Sequence, residues 1–460
     1  MGDSGIKQPH NHPHTTMLNR SITTTLAALA IAGASVTAAY ASEEALLDAL
    51  VKKGVLKQAD AQKIKAESSH HGSGGNSKIK LNESVKELSI YGDLRLRWQH
   101  GQADTQAAST AHSSQDQAAR FRLLIGGNFK LTDGLSAGVE LSTQSQANQR
   151  YQTYGDNNVG GGQDYSLYLS KAFIGWNPSK EFGLTAGRQS VPFYSTEMVW
   201  DNDVRLDGVT EKIDLGALLG LGDGLHLHLI SGQFVGANNL SFNANTTENP
   251  NADSWLFQSQ LKAVADLGGA KLTFAPGFQW SNSEPSASLQ TTGYDGGTTA
   301  NYLRDLSVVL APGDISFDLA GTKAKLLWDF AYNFAEDSRV AADISATQDK
   351  MAWLLGAQLG ENKNAGDFSV FANYREIGAG ALNTFYSDSD FAFDPARNLS
   401  QPGNQRGFKV GAKYSFTRNA TITAAYTASS NIDQDQQVGD GNQSGLNSSQ
   451  LVTIDLGLKF

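Results

Sequence analysis

Within the last ten residues of the chain, the nine from Val452 to Phe460 alternate strictly between hydrophobic and polar or glycine positions. The hydrophobic parity holds Val452, Ile454, Leu456, Leu458 and Phe460. A period of two places all the side chains of one parity on the same face of a β-strand. An amphipathic strand ending on phenylalanine is typical of the last strand of an outer-membrane β-barrel, although an ordinary half-buried strand shows the same alternation. The pattern upstream distinguishes the two interpretations.

From about residue 86 onward the chain predicts strands and turns with no clear helix. Sixteen strands are predicted, at about 87–100, 119–131, 135–147, 165–177, 182–190, 204–215, 224–236, 253–266, 269–281, 303–320, 322–335, 350–361, 366–378, 405–416, 419–430 and 449–460. Eight long connectors alternate with seven short ones, as expected of an even-numbered barrel with both ends in the periplasm. We therefore expect an all-β fold, a 16-stranded antiparallel transmembrane β-barrel over residues 86–460, because unpaired backbone groups are not tolerated in lipid.

Two positions depart from this pattern. Pro276 falls in the middle of a predicted strand, where it cannot donate a ladder hydrogen bond. Arg188 has the parity of the apolar Phe182 and Leu184, which are predicted to face lipid. A β-bulge or an early strand end would account for each of them.

The N-terminal part predicts export. Residues 17–41 combine Arg20, a short apolar core and a small-x-small site at 39–41, which predicts a leader and cleaved signal peptide over residues 1–41. Residues 42–67 have the hydrophobic spacing of a periplasmic helical segment, and residues 68–85 form a linker. The helical segment could form a coiled coil, contact the cell wall or pack at the barrel mouth.

Composition narrows the classes of function. The chain has 460 residues and no cysteine, which excludes disulfides and thiolate metal sites. The net charge of −10 argues against a nucleic-acid partner. The sequence contains no G-x-S-x-G nucleophile elbow, because its GLSAG match at 134–138 leads into a predicted strand and not into a helix. It also contains no clear Ser–His–Asp arrangement, so we expect neither enzymatic activity nor a cofactor.

Three segments carry a resemblance to a known family. RFRLLIGGNFKLTDGLSAGVELST (120–143), LYLSKAFIGWNPSKEFGLTAGRQSVPF (167–193) and WDNDVRLDGV (200–209) resemble the bacterial outer-membrane putative porin family, which is similar to the phosphate-selective porins. The helix ALLDALVKKGVL (45–56) resembles the segment that precedes the barrel in those proteins. The resemblance implies a sixteen-stranded diffusion channel for small hydrophilic solutes, surrounded by outer-membrane lipid and lipopolysaccharide and commonly a homotrimer. It does not specify the solute.

The polar parity of the strands predicts a mainly basic lumen. Acidic candidates on the same faces are few, so we expect the acidic surplus of the chain in the long connectors. Rings of Arg and Lys inside a pore favour anions, so we expect an anion preference. Two alternatives remain: the basic residues only balance loop carboxylates, or acidic loops give a cation preference. The basic residues predicted to line the pore are Arg95, Arg97, Arg120, Arg122, Lys171, Lys325, Arg375 and Lys409.

The third long connector, residues 191–203, is the candidate constriction loop. The porin resemblance implies that it folds into the bore, where its carboxylates would face the basic wall or bind a divalent cation. Its candidate residues are Phe193, Tyr194, Glu197, Trp200, Asp201 and Asp203. His226 and His228 share one strand face, but two ligands without a third favour a structural role over a metal site.

A different class of function also fits a barrel of this size. It could be a sheath or scaffold that holds a partner such as a redox protein, or it could tether the outer membrane to the cell wall through residues 42–67. Ion conductance would distinguish an open pore from such a scaffold.

Overall fold

The computed structural model describes residue 52 and residues 82–106, 111–143, 150–154, 165–237, 254–284, 303–335, 350–395, 398–433 and 445–460. The predicted signal peptide, nearly all of the predicted periplasmic helix and most of the linker lie outside the described residues, so they stay predictions. The described barrel belongs to a compact unit, Asn82–Phe460. In the described part of the chain no helix is long and apolar enough to cross a membrane.

Sixteen antiparallel strands close into a barrel, as the sequence predicts. Each strand pairs with its neighbours, and the last strand pairs with the first. The strands are β1 (Val85–Gln106), β2 (Ala111–Leu131), β3 (Leu135–Ser142), β4 (Tyr168–Trp176), β5 (Phe182–Ser190), β6 (Arg205–Asp214), β7 (Leu225–Ala237), β8 (Ser254–Asp266), β9 (Ala270–Phe274 and Gly277–Glu284), β10 (Leu303–Leu310 and Gly313–Leu319), β11 (Thr322–Asn333), β12 (Met351–Gly360), β13 (Phe368–Ile377), β14 (Gln405–Ser415), β15 (Ala420–Asn431) and β16 (Gly445–Lys459).

The connectors add small elements that the alternation did not predict. A one-turn helix, Leu215–Leu218, follows β6, and the Asp214 carboxylate caps it by accepting the Ala217 N–H at 3.0 Å. The two-residue strand Gln152–Thr153 pairs with β2. A 3₁₀ turn and a two-residue hairpin lie between β13 and β14, at Thr384–Tyr386, Phe393–Asp394 and Leu399–Ser400.

The two irregular positions behave differently from each other. Pro276 interrupts β9, and Pro312 interrupts the neighbouring β10. The carbonyl groups of these prolines still accept hydrogen bonds, from Leu261 N–H and Ala275 N–H, both at 2.9 Å. No register shift occurs at Arg188, so the expected bulge is wrong there. The pairing with β4 ends at Arg188, whereas the pairing with β6 continues to Ser190. Arg188 lies on the outer face of an unbroken strand.

The outer face of the barrel is mainly apolar. Ile174, Leu326 and Leu355 are among its exposed residues, which agrees with a lipid-facing band. At the seam, Gly92 N–H donates to the Phe460 carbonyl at 2.7 Å and Phe460 N–H donates to the Gly92 carbonyl at 3.1 Å. The Phe460 ring occupies the space beside Gly92, where an added Cβ would lie 2.2 Å from a ring carbon. Glycine at this position therefore lets the seam close.

Two connectors pack inside the barrel. We name residues 191–204, between β5 and β6, the first inner loop, and residues 378–404, between β13 and β14, the second inner loop. Both contribute to one buried apolar cluster with inward-facing wall residues. The Trp200 and Tyr386 rings stack between the loops with centroids 5.1 Å apart. Members of the cluster include Phe193, Met198, Trp200, Leu382 and Phe391 from the loops and Phe234, Leu256 and Leu354 from the wall.

Candidate pore and its inner loops

Hydrogen bonds from three wall strands hold the start of the first inner loop. Gln260 accepts the Tyr194 N–H at 2.8 Å and donates to the Tyr194 carbonyl at 2.7 Å. The Tyr194 hydroxyl donates to Asp314 at 2.5 Å. Asp329 accepts both the N–H and the hydroxyl of Thr196, at 3.0 and 2.9 Å. These inward-pointing polar residues position the loop across the lumen.

Glu197, further along the loop, meets two of the predicted basic residues. Arg375 donates to Glu197, and Lys409 donates to it at 3.0 Å. The same two cations bind Asp388 of the second inner loop, at 3.2 and 3.1 Å. Burial by itself would raise the pKa of Glu197, but Lys409 and Arg375 together hold that pKa well below its usual range. One pair of wall cations therefore holds both loops.

The four predicted arginines of β1 and β2 do lie together on the inner face, and the structure pairs them across the strands as Arg95 with Arg122 and Arg97 with Arg120. Three are buried, and only Arg95 keeps a substantial exposed fraction, 34% of its side chain. Arg120 donates to Gln99 at 3.2 Å.

Carboxylates neutralise the other three arginines. Arg97 binds Asp390 at 2.6 Å and Asp455 at 2.8 Å. Arg122 binds Asp203 at 2.7 Å and Asp93 at 3.0 Å, and Asp93 also binds Arg95 at 3.2 Å. The partners Asp203 and Asp390 come from the two inner loops. The cluster of guanidinium groups is thus part of the structure that anchors the loops.

Glu140 on β3 gathers a second group of cations. Its carboxylate binds Lys171 at 2.7 Å, Arg150 at 3.1 Å and Arg205 at 3.0 Å. It also accepts hydrogen bonds from the Ser170 and Tyr91 hydroxyls at 2.7 and 2.9 Å. The predicted pore residue Lys171 therefore shares one carboxylate with two arginines. Sequence alternation did not identify Arg150 or Arg205, because one lies in a connector and the other at a strand end.

Asp201 of the first inner loop is buried near other carboxylates. Its oxygens accept the N–H groups of Asp203 at 2.8 Å and Ser389 at 3.1 Å. Burial, followed by the charges of Asp203 and Asp388, raises the pKa of Asp201 well above its ordinary value. This carboxyl joins the two inner loops to each other.

The second inner loop was not among the predicted site residues. It supplies Asp388 and Asp390 to the wall cations and Phe391 to the buried cluster. The segment DFAFDP (390–395) carries the only available signal, because two phenylalanines are unusual in a solvated connector. Connectors have no periodicity, so alternation cannot show that this one folds inward.

A polar cavity of about 540 Å³ remains inside the barrel, between the first inner loop and the wall. Its charged lining has seven basic and four acidic residues. Among the described contacts, Lys413, Arg418 and Lys459 have no ion pair, whereas Lys325 binds Asp314 at 3.3 Å. The charged residues are Arg95, Arg97, Lys325, Lys409, Lys413, Arg418 and Lys459, with Asp93, Glu197, Asp390 and Asp455.

The described residues provide no cluster of three metal-binding side chains. His228 Nδ1 lies 3.7 Å from the Asp214 carboxylate, which is an ordinary polar contact on the inner wall. The carboxylates of the first inner loop are occupied by arginine, lysine and backbone N–H groups, so a divalent cation at that loop is not supported.

Comparison with known families supplies the identification. A sequence profile of the family described as "Putative porin" matches residues 96–275 and 309–460, which is most of the chain and most of the barrel. The chain belongs to this porin family. This porin is accordingly an outer-membrane β-barrel channel. A search of curated proteins finds no match.

Several solved outer-membrane proteins are similar in structure to this porin at low sequence identity. Pseudomonas putida OprB has 10% identity and a TM-score of 0.49, covering 81% of this chain and 94% of that one. Salmonella typhi OmpF, in a complex with daunomycin, has 14% identity and a TM-score of 0.44, covering 83% and 100%. The trimer form of Vibrio cholerae OmpT has 11% identity and a TM-score of 0.43, covering 81% and 99%. The similarity to phosphate-selective porins stays a prediction.

Proposed function

We propose that this porin is a passive diffusion channel for small hydrophilic solutes, that it prefers anions, and that it works as a homotrimer. The observation that carries the anion preference is the imbalance of charge in the cavity, where seven basic residues meet four acidic ones. In this proposal residues 1–41 direct export and are removed, and residues 42–67 contact the periplasmic side.

The distribution of ion pairs indicates which cations act on a solute. Arg97, Arg122, Arg375 and Lys409 are each bound by two carboxylates, so their fields are largely cancelled. The cations without a described ion pair lie toward the end of the cavity formed by the short connector 416–419. In an outer-membrane barrel the short connectors face the periplasm. The net positive potential is therefore concentrated in the periplasmic half of the pore.

Lysines on β6, β8 and β9, across the lumen from β14–β16, extend this positive potential. Lys212, Lys262 and Lys271 point inward from β6, β8 and β9, and no ion pair is found for them among the described contacts. The Lys262 ammonium lies 5.2 Å from the centre of the Tyr194 ring, directly beside the first inner loop. An anion leaving the constriction would meet lysine on both walls.

The scaffold alternative fits the interior less well. Both inner loops and the apolar cluster fill part of the lumen with the porin's own residues, among them Met198, Leu382 and Phe391. A lodged partner protein would have to displace that packed cluster. A small solute needs only the remaining polar cavity.

Bilayer recordings test the anion preference. The variant replaces Lys413 and Lys459 with glutamine, and the control replaces the exposed Lys323, which pairs with Asp318 at 2.8 Å at a strand turn. At roughly 7 Å in water a unit charge changes the energy of a monovalent ion by about 0.6 kcal/mol, and 0.1 M salt screens this to about 0.3 kcal/mol. Because anions lose attraction while cations lose repulsion, the permeability ratio should fall roughly threefold per lysine.

The measurement is the reversal potential under a KCl gradient. Wild-type protein should show chloride preference, the double variant a clearly smaller one, and the Lys323→Gln control no change. A potassium preference in the wild type would contradict the proposal. So would an unchanged reversal potential in the double variant.

A further inference from the structure

Arg188 lies on the outer face of the barrel, where a lipid-facing residue is expected. It is paired across the sheet with Asp207 of β6, and its Nη1 lies 2.5 Å from the Asp207 carboxylate. Its neighbour Gln189 is buried on the inner face, where it accepts the Thr210 hydroxyl at 3.1 Å. The alternation across the strand therefore places the Arg188–Asp207 ion pair outside, and 53% of the Asp207 side chain is exposed.

The ion pair belongs to a wider polar patch on β5–β8. Gln233 donates to Glu211 at 3.2 Å, and the hydroxyls of Ser231 and Ser259 lie 2.9 Å apart. We name these four residues, together with Arg188 and Asp207, the outer polar patch. On the outer face of β11–β16 the polar residues Glu376, Arg406 and Gln450 lie toward the extracellular ends of the strands. At the depth of Arg188, counted from the periplasmic ends, the outward residues there are apolar or aromatic. They include Leu326, Phe330, Leu355, Val370, Phe408 and Ile454.

The depth of the patch makes lipid an unsuitable neighbour. Arg188 is six positions beyond Phe182, the periplasmic end of β5. With a rise of about 3.3 Å per residue and a tilt near 45°, Arg188 lies about 14 Å above that end. The apolar band of an outer-membrane barrel is about 25 Å tall, and charged side chains on its lipid face are most destabilising near the middle. An ion pair at this depth needs a protein surface beside it.

The length of the strands agrees with this conclusion. β3, β4 and β5 have 8, 9 and 9 residues and are the shortest of the sixteen. A strand that spans the hydrocarbon layer needs about 9–11 residues. The wall beside the patch is thus barely tall enough to face lipid on its own.

We propose that the outer face of β5–β7, centred on Arg188 and Asp207, is the surface that meets other copies of this chain. When copies of the chain are related by a rotation axis, the arginine of each copy can approach the aspartate of the next. A surface that carries both charges can therefore bind a second copy of itself. Three copies would form a ring of alternating charges that is shielded from lipid. The inference depends on the homotrimer of the proposed function and adds its location.

Site-specific cross-linking tests the location. The chain has no cysteine, so a single introduced cysteine reacts alone. Ala186 and Ala357 are both exposed, outward-facing mid-strand alanines, the first beside the patch on β5 and the second on the opposite face on β12. Outer membranes carrying Ala186→Cys or Ala357→Cys are treated with bismaleimidoethane and analysed on denaturing gels.

We expect covalent dimers from Ala186→Cys and monomers from Ala357→Cys. Cross-linking of Ala357→Cys alone, or of both variants equally, would overturn the proposed location. If neither variant cross-links, light scattering of the purified protein separates the two failures. A trimer would mean that only the location is wrong, whereas a monomer would mean that the homotrimer is wrong as well.

Charge exchange tests the ion pair itself. Arg188→Glu should place two carboxylates beside each other in every copy and reduce the trimer fraction at least tenfold. Arg188→Asp combined with Asp207→Arg should restore the trimer, and Lys323→Glu at a strand turn should leave it unchanged. A full trimer fraction in Arg188→Glu would show that the ion pair is not at the contact.

Discussion

Arg375 is the residue whose loss should most clearly release the inner loops. Its side chain is fully buried, and it binds Glu197 of the first loop and Asp388 of the second. Its guanidinium carbon also lies 4.6 Å from the centre of the Phe391 ring. Replacement by methionine keeps much of the apolar length and removes the charge.

The energetic cost follows from the contacts. Breaking a buried ion pair by removing one partner costs about 3–5 kcal/mol, because the remaining charge stays buried. Lys409 still binds both Glu197 and Asp388, at 3.0 and 3.1 Å, so we take the lower end, about 3 kcal/mol. Since about 1.4 kcal/mol corresponds to a factor of ten, the fraction of molecules with released loops should rise roughly a hundredfold.

Two assays measure this release. Single-channel currents of Arg375→Met should be larger and noisier, and chymotrypsin should cleave the second inner loop at Tyr386 or Phe391 much faster. The control is Lys325→Met, because Lys325 is 38% exposed and makes one contact, to Asp314 at 3.3 Å. Asp314 is buried, but water reaches the Lys325 ammonium, so we expect this pair to contribute only about 1 kcal/mol. Wild-type conductance and cleavage rates in Arg375→Met would refute the role of this residue.

Two further predictions concern acidity and assembly. Burial and then the charges of Asp203 and Asp388 raise the pKa of Asp201, so the Asp201 carboxyl holds its proton more tightly in the packed loop than in a released loop. The packing of the loop should therefore strengthen as the pH falls from above the raised pKa toward about 4. Fluctuations of the single-channel current should therefore become rarer from pH 8 to pH 5. The Asp201→Asn variant should not show this pH dependence. Equal fluctuations in the wild type at both pH values would contradict the prediction. Gly92→Ala should displace the Phe460 ring and destabilise the seam by about 1–3 kcal/mol. The folded fraction on unheated gels should drop, while Gly222→Ala, with open space around it, should leave that fraction unchanged.

The strands could be predicted from local pattern because each lies between lipid and a polar lumen. That environment imposes a period of two on every strand independently of its partners, and β5 was predicted at both ends, Phe182 and Ser190. The same rule also identified Arg188 as irregular. It could not explain the irregularity, because the explanation that we propose, a subunit contact, is not encoded in the strand itself.

The charge state of the pore depends on contacts between residues that are far apart in sequence. The alternation correctly assigned Arg97 and Arg375 to the inner face, but their partners Asp390, Asp455, Glu197 and Asp388 come from two connectors and the last strand. Connectors carry no periodic signal, so their inward folding is invisible before the barrel closes. Local periodicity therefore accounts for the wall of this porin, and long-range pairing accounts for which of its cations a solute can meet.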